Sequence, residues 1–522
     1  MKRHTTSVLR RPALIAAAIV TLHLSTLAQQ QTQTSSSSSE PAAAMRDLQD
    51  QVRELRSLVD AMRAENAQSR DEMRQLRHDL ETTRALLARP AGNEPAAKSA
   101  EAASARPALA PASIEERVQK LEESTSLIGS KIDEQYETKV ETASKYRARL
   151  HGIVLMNAFR NVGNSDSLDF PSYAVPVPSA APTASLGATL RQSELGLEIF
   201  GPRVAGARTS ADVQLDFAGG FPATANGVNF GFARLQTASL RLDWEHTSIV
   251  AGQDALFISP LSPTSFASLA TPAFALAGNL WGWTPQLRAE HRFALSDQQT
   301  VTVQAGFLDN LDWEPNYSAF ERTAQAGELS GQPAYAFRTA WSRPVQEHPL
   351  SVGVAGYYGR QNWTWSRFVD AWAAMADWQV PISSRLGLSG EFYRGRGIGG
   401  LGGAIGTSIV YGANPLNPTS PLRGVETAGG WAQLKFQVTP KVELNGVFAD
   451  DDALTGNIRG FATDQNNFGT ILGRNRGALG NVVFRPRSDL VMSAELRRLR
   501  TFPVYSSSTT LNQVNLSLGI LF

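Results

Sequence analysis

Leu511-Asn512-Gln513-Val514-Asn515-Leu516-Ser517-Leu518-Gly519-Ile520-Leu521-Phe522 is the stretch on which the fold is decided. Successive side chains of a strand point to opposite sides. Asn512, Val514, Leu516, Leu518, Ile520 and Phe522 therefore share one face, and Gln513, Asn515, Ser517 and Gly519 share the other. Taken alone, such a strand fits the edge of any β-sandwich. What surrounds it narrows the choice.

Going backwards from Leu511, segments of about ten residues repeat the same alternation, separated by turns that are short and long in rotation. Strands are expected near 148–160, 189–200, 207–218, 231–244, 247–258, 284–296, 299–310 and 335–345. The second half adds 349–361, 369–380, 384–394, 427–438, 441–451, 475–486, 489–501 and 511–522. The total is about sixteen, an even number, as expected of a closed single-chain bacterial barrel. Short connections at 201–206, 245–246, 344–348, 439–440 and 486–488 alternate with long loops rich in Gly, Pro, Asn and Ser. In outer-membrane barrels short turns lie in the periplasm and long loops outside, so both ends of the 146–522 barrel are expected on the periplasmic side. A soluble β-sandwich or β-helix fits less well, because no strand reads as a continuous buried run.

Composition agrees. The chain has 522 residues and no cysteine, which removes disulfide frameworks and thiolate metal sites. A net charge of +1 gives a nucleic-acid partner no support. After the first residues no apolar run approaches the roughly 20 residues of a membrane helix. The seven histidines lack ligand spacing, Gly397, Gly399 and Gly402 have no βαβ context and read as a flexible outer loop, and Asp450, Asp451 and Asp452 read as a solvated loop. No Gly-x-Ser-x-Gly elbow or supportable triad is present. Neither an enzyme nor a cofactor is expected, and no metal site.

The N-terminal part has its own pattern. Lys2, Arg3, Arg10 and Arg11 precede the apolar stretch from Ala13 to Leu24 and a Thr-Leu-Ala sequence ending at Ala28, the layout of a secretory signal peptide over 1–28. A Gln/Ser-rich flexible linker covers 29–44. Over 45–89, Leu48, Val52, Leu55, Val59, Met62, Asn66, Ser69, Met73, Leu76, Leu80, Thr83 and Leu87 alternate steps of four and three, a heptad seam that asks for a coiled-coil partner. Asn66 occupies an a position, where a buried polar side chain sets register. An Ala/Pro linker spans 90–112, and a second short seam at 113–142 uses Ile114, Val118, Leu121, Thr125, Ile128 and Ile132, with Ser113 and Glu116 able to form a capping box. If the barrel ends face the periplasm, these α-helical coils lie there as well.

In a barrel, strand parity sorts the charges. Apolar Leu287, Ala289 and Phe293 face outward, which sends Arg288, Glu290 and Arg292 inward. The same argument places Arg208, Asp212, Asp216, Arg241, Asp243, Arg338, Arg385, Glu391, Tyr393, Lys435, Glu495 and Arg497 in the lumen. A charge in hydrocarbon costs about 2–4 kcal/mol at the midplane, so the inward assignment follows from the barrel. Arg208, Arg241, Arg288, Arg292, Arg338, Arg385, Lys435 and Arg497 are the candidates for contacting small anionic solutes, since rings of basic groups favour anions. The bland alternative is that they pair with the neighbouring acids and only order the wall.

The order of signal peptide, heptad helix and barrel resembles the DcaP-like porins, and the phosphate-selective porins of the O/P type look similar. Val250-Ala251-Gly252-Gln253-Asp254 on the fifth strand and the Arg-rich segment from Glu495 to Arg500 carry the local resemblance. The 90–112 linker, which divides the coil, departs from that pattern. The resemblance implies a homotrimer in the outer membrane passing small carboxylates or phosphate. Phe522 on an apolar strand resembles the signature read by barrel-assembly machinery. In general porins the loop after the fifth strand folds inward. Here the matching loop, 259–283, carries Phe266, Phe274, Trp281 and Trp283, apolar residues that water would not hold. Two rival readings are a trimeric surface adhesin and an envelope tether, with the coil reaching the cell wall and the barrel as anchor.

Overall fold

The final strand hydrogen-bonds on both sides. In the computed structural model, which describes residues 147–220, 231–312, 321–345, 348–461 and 470–522, Thr509–Leu521 runs antiparallel to Leu490–Pro503 and also to Arg147–Val162. Ile153 stands opposite Leu521 and Val162 opposite Asn512. A sheet whose first and last strands pair has no edge, and closure is what lets a sheet sit where water cannot satisfy a free edge. The signal peptide, linkers and coiled coils expected over 1–142 lie outside the described residues.

Sixteen strands make the wall: β1 Arg147–Val162, β2 Glu194–Val204, β3 Ala207–Asp216, β4 Arg234–Asp243, β5 Thr247–Ala255, β6 Trp283–Ser296, β7 Gln299–Leu308 and β8 Ala334–Val345, then β9 His348–Trp363, β10 Arg367–Pro381, β11 Leu386–Arg396, β12 Glu426–Thr439, β13 Val442–Asp452, β14 Leu472–Arg487, β15 Leu490–Pro503 and β16 Thr509–Leu521. Each is antiparallel to its neighbours in chain order. A short segment, Ala184–Thr189, continues β2 along the upper half of β1, with Thr189 opposite Asn157. Among the described residues the only helical pieces are short 3-10 turns.

The alternation read from the sequence is the alternation of the wall. Leu516 is 57 % exposed on the outside while Asn515 and Ser517 beside it are buried inside. Val154, Met156, Phe448 and Leu496 are likewise exposed outside. This outer apolar band is stable only against hydrocarbon. Phe522 follows β16, and its backbone exchanges hydrogen bonds with Gly152 of β1 at 2.9 and 3.2 Å.

Several sequence expectations change in detail. β5 ends at Ala255, so the inserted loop runs from 256 to 282 and Trp283 is the first residue of β6. Asp450, Asp451 and Asp452 are on β13, not in a solvated loop, and Asp451 is fully buried. The glycines of 397–406 form two tight 3-10 turns whose Gly399, Gly400 and Gly403 are buried. A β-carbon on Gly400 would stand 1.9 Å from the Leu311 carbonyl oxygen, so these glycines serve close backbone packing.

Candidate functional site: a lumen narrowed by an inserted loop

The inner face of the wall has an apolar half and a charged half. On β7 to β11, inward positions are Leu308, Ala334, Ala336, Ala355, Tyr357, Ala371, Ala373, Met375 and Tyr393, and all are buried. Such a surface would be poorly hydrated if it faced the channel. The 256–282 loop covers it: Leu256, Phe257, Ile258 and Leu280 pack on these residues. The loop then crosses to β12–β16, where Ala273, Phe274 and Ala277 meet Trp431, Val447, Ala449, Leu479, Leu499 and Leu511. Phe266 and Leu269 pack on Ile153, Leu155, Val483 and Val491. Burying one Phe or Leu contributes about 1.5–3 kcal/mol, so these apolar contacts favour the inserted position of the loop.

Polar pins fix its path. Ser259 Oγ and the Leu261 N–H donate to the Glu391 carboxylate of β11 at 2.5 and 2.8 Å. The Thr264 N–H donates to Gln433 Oε1 of β12 at 2.7 Å, and Asn481 Nδ2 of β14 donates to the Thr264 carbonyl at 2.8 Å. Ser265 Oγ donates to Glu495 of β15 at 2.6 Å, and Asn157 of β1 donates to the Phe266 carbonyl at 2.8 Å. Gln192, just before β2, accepts from the Leu269 N–H at 2.9 Å, and Asn475 of β14 donates to the Leu276 carbonyl at 2.9 Å. Phe274 and Leu276 hold positive φ angles of 62° and 61°, conformations that persist only where the surroundings enforce them.

The four aromatic residues expected at the constriction have different positions. Phe274 is 2 % exposed, with its ring pressed onto the wall. Phe266 is half-buried, and Arg485 stacks over it at 5.6 Å. Trp281 meets Trp283 edge-on at 5.3 Å, and Arg234 lies 4.9 Å over Trp283.

The eight basic candidates do not come together in one ring. Arg241 of β4 lies 3.4 Å from Asp243 and 4.0 Å from Glu290. Arg292 of β6 is 2.8 Å from Glu290 and 3.8 Å from Asp243. Together they form a four-charge cluster on the inner wall. Arg288 pairs with Asp254 at 2.8 Å, and Lys435 with Glu443 at 3.5 Å. Arg338 of β8 reaches past β9 to Asp377 of β10 through two hydrogen bonds of 2.7 and 3.0 Å. Gly353 of β9 makes this possible, since a β-carbon there would stand 2.4 Å from an Asp377 oxygen. Arg497 is 2 % exposed, paired with Glu495 at 2.7 Å and donating to Ser265 Oγ of the loop at 3.2 Å. Arg208 and Arg385 are exposed near the short-turn rim, on β3 and in the turn before β11, with no ion pair among the described residues.

Two recesses border charged walls at the short-turn side. One recess of about 560 Å³ is lined by Arg149, His151, Glu198, Asp212 and Arg241. A second of about 560 Å³ is lined by Thr264, Arg385, Gln433, Lys435 and Arg485. At the long-loop mouth, burial pushes the Asp309 carboxyl up from its ordinary value, and Glu328 adds to the rise while Arg322 opposes it. Sequence parity had placed Glu391 and Glu495 inside, but not as pins. Parity does not single out Gln192, Asn157, Asn475 or Asn481, although the last three are polar residues at inward strand positions.

No protein-family model matches the chain, and no curated protein resembles it significantly in sequence. Solved structures do. The anion-selective porin of Comamonas acidovorans aligns at 12% identity over 72% of this chain and 100% of that one, with a TM-score of 0.44. Pseudomonas putida OprB aligns at 12% identity over 76% and 97%, with a TM-score of 0.41. The outer membrane channel DcaP of Acinetobacter baumannii aligns at 14% identity over 74% of this chain and all of that one. With a TM-score of 0.56, the barrel shares the fold of that channel.

Proposed function

We propose that this chain is an outer-membrane channel for passive diffusion of small hydrophilic solutes, with a modest preference for anions. The observation that carries the reading is the division of the inner wall. An apolar half is sealed by the 256–282 loop, and a charged half around Arg149, Asp212 and Arg241 is left to line the open space. A barrel whose interior were only structural would not need charged groups facing water.

The preference is modest because Arg241, Arg288, Arg292 and Lys435 each have a carboxylate within 4.0 Å. Such pairs nearly cancel as seen by a passing ion. The anion bias then rests on Arg208 and Arg385 at the short-turn rim, which are exposed and without ion pairs among the described residues. Small carboxylates or phosphate are the proposed solutes, since a guanidinium grips either one bidentately.

The barrel is proposed to work as a homotrimer held by the heptad seam from Leu48 to Leu80, after export directed by residues 1–28 and insertion by barrel-assembly machinery. Reconstitution in planar bilayers under a salt gradient tests the whole. A steady conductance with a reversal potential favouring anions is expected. Absence of conductance overturns the channel, and a cation preference overturns the role of the rim arginines. Deleting 45–142 is expected to convert trimers to monomers with conductance kept, and an unchanged oligomer would count against the seam.

A further inference from the structure

Arginines also face outward, and the proposed conduction makes no use of them. On β14, Asn475 and Gly477 point inside, so Arg474 and Arg476 point out. On β15, Arg497, Leu499 and Thr501 are buried inside, so Arg498 and Arg500 point out and are exposed. On β1, Phe159 and Asn161 are buried inside, and Arg160 points out. The register joins them into one strip, with Arg476 opposite Arg500, Arg498 opposite Asn512, and Asn512 opposite Val162 next to Arg160.

The strip is not self-neutralised. Its acids are Asp450 and Asp452, on the outer face of β13. Arg474 pairs with both, and Arg476 lies 3.3 Å from Asp450. Among the described residues the Arg500 side chain bonds the Ser508 hydroxyl, at 3.1 and 3.2 Å, and stacks on Phe502 at 4.8 Å. Arg160 and Arg498 make no ion pair among the described residues. Five arginines against two aspartates leave three positive charges on one outer patch.

Depth identifies the occupant. Arg500 and Arg498 are three and five residues from the end of β15 at Pro503, or about 10–17 Å along the strand. With the tilt usual in such barrels they fall at the headgroup level of the leaflet on the long-loop side. Directly below them the same outer faces expose Leu496, Val514, Leu516, Met156 and Val482. A basic band over an apolar band matches a lipid with an anionic head and acyl chains. A guanidinium group also presents a planar fork suited to phosphate. We propose that the outer face of β14, β15, β16 and β1 binds a phosphorylated lipid headgroup in the long-loop leaflet through Arg160, Arg476, Arg498 and Arg500.

The test uses the full chain in detergent micelles, with native mass spectrometry and a binding titration. The probes are bis-phosphorylated lipid A, the same lipid without its phosphates, and inorganic phosphate. Wild type is expected to retain the phosphorylated lipid at least tenfold more tightly than the dephosphorylated one. Arg476→Gln/Arg498→Gln/Arg500→Gln is expected to weaken it at least tenfold while keeping wild-type conductance. Asp450→Asn/Asp452→Asn, which releases Arg474 and Arg476, is expected to bind several-fold more tightly, and this arm stands even if the triple variant fails to fold. Equal binding of both lipids, or undiminished binding by the folded triple variant, would overturn the proposal. Displacement of the lipid by inorganic phosphate at equal concentration would point to a free-anion site instead. Loss of oligomer with lipid binding unchanged would assign the patch to a second copy of the chain. Either result overturns the lipid reading.

Discussion

Phe274 of the inserted loop lies directly on Gly477 of β14. A β-carbon on Gly477 would stand 2.1 Å from one ring carbon of Phe274 and 2.3 Å from another. The missing side chain on the wall is therefore the seat of the loop. Gly477→Val is expected to lift Phe274 and the segment around it, at about 1–3 kcal/mol of overpacking. Single-channel conductance should rise, and uptake of bulkier solutes with it. Normal conductance from a variant that folds in normal yield would show that the loop adjusts locally.

The buried pair Glu495–Arg497 joins the wall to the loop through Ser265. Glu495→Leu leaves Arg497 without its counter-charge in a site only 2 % exposed. A loss of about 3–5 kcal/mol is expected, because the remaining charge stays desolvated. Glu495→Leu/Arg497→Met should recover most of that loss. Urea unfolding of the barrel in vesicles, followed by tryptophan fluorescence, distinguishes the three proteins. A double variant no better than the single one would contradict this account.

Selectivity should follow the four-charge cluster in sign. Arg241→Gln/Arg292→Gln leaves Asp243 and Glu290 facing the lumen, and the reversal potential should move toward cations. Asp243→Asn/Glu290→Gln should move it toward anions. Both shifts should shrink at high salt, since exposed charges are screened beyond about 10 Å at 0.1 M. If neither double variant changes the potential, permeating ions do not pass this wall.

The outer face allows a test of depth. Leu516 lies at the middle of β16 and Val162 at the loop end of β1, both outward. Leu516→Arg is expected to cost about 2–4 kcal/mol and Val162→Arg about 0–1 kcal/mol, following the position in the bilayer. Folding yield into vesicles over a urea series would rank them. The reverse ranking would contradict the membrane placement.

Most of the wall was legible in the sequence because a barrel strand records its surroundings at every second residue. β16 shows this, with apolar Leu516 outside and Asn515 inside. β2 was harder. It was expected at 189–200 but spans Glu194–Val204, because the turn at 190–193 directs Gln192 to the loop rather than along the sheet. The inward turn of the 256–282 loop was readable from its Phe, Trp and Pro content. Its landing points were not, since they are isolated polar groups scattered over β1, β11, β12, β14 and β15. Parity also put the arginines inside without revealing their partners. Arg338 reaches Asp377 two strands away across Gly353, a contact that no local spacing encodes. Arg498 and Arg500 stand out in the sequence only as part of an Arg-rich segment, although the same parity sends them outward.

The loop that leaves the wall at Ala255 and rejoins it at Trp283 is tied on its way to β11, β12, β14, β15 and β1. A hollow tube of hydrogen-bonded strands flattens easily under sideways load. A tube with a cross-member fixed to several points of its opposite wall resists flattening, as a braced frame resists shear. The bore of this barrel is thus set from within, by its own strut, rather than by the pressure of the surrounding lipid. Conductance should accordingly hold steady across bilayers of different thickness, and become thickness-dependent once the ties at Glu391 and Glu495 are cut.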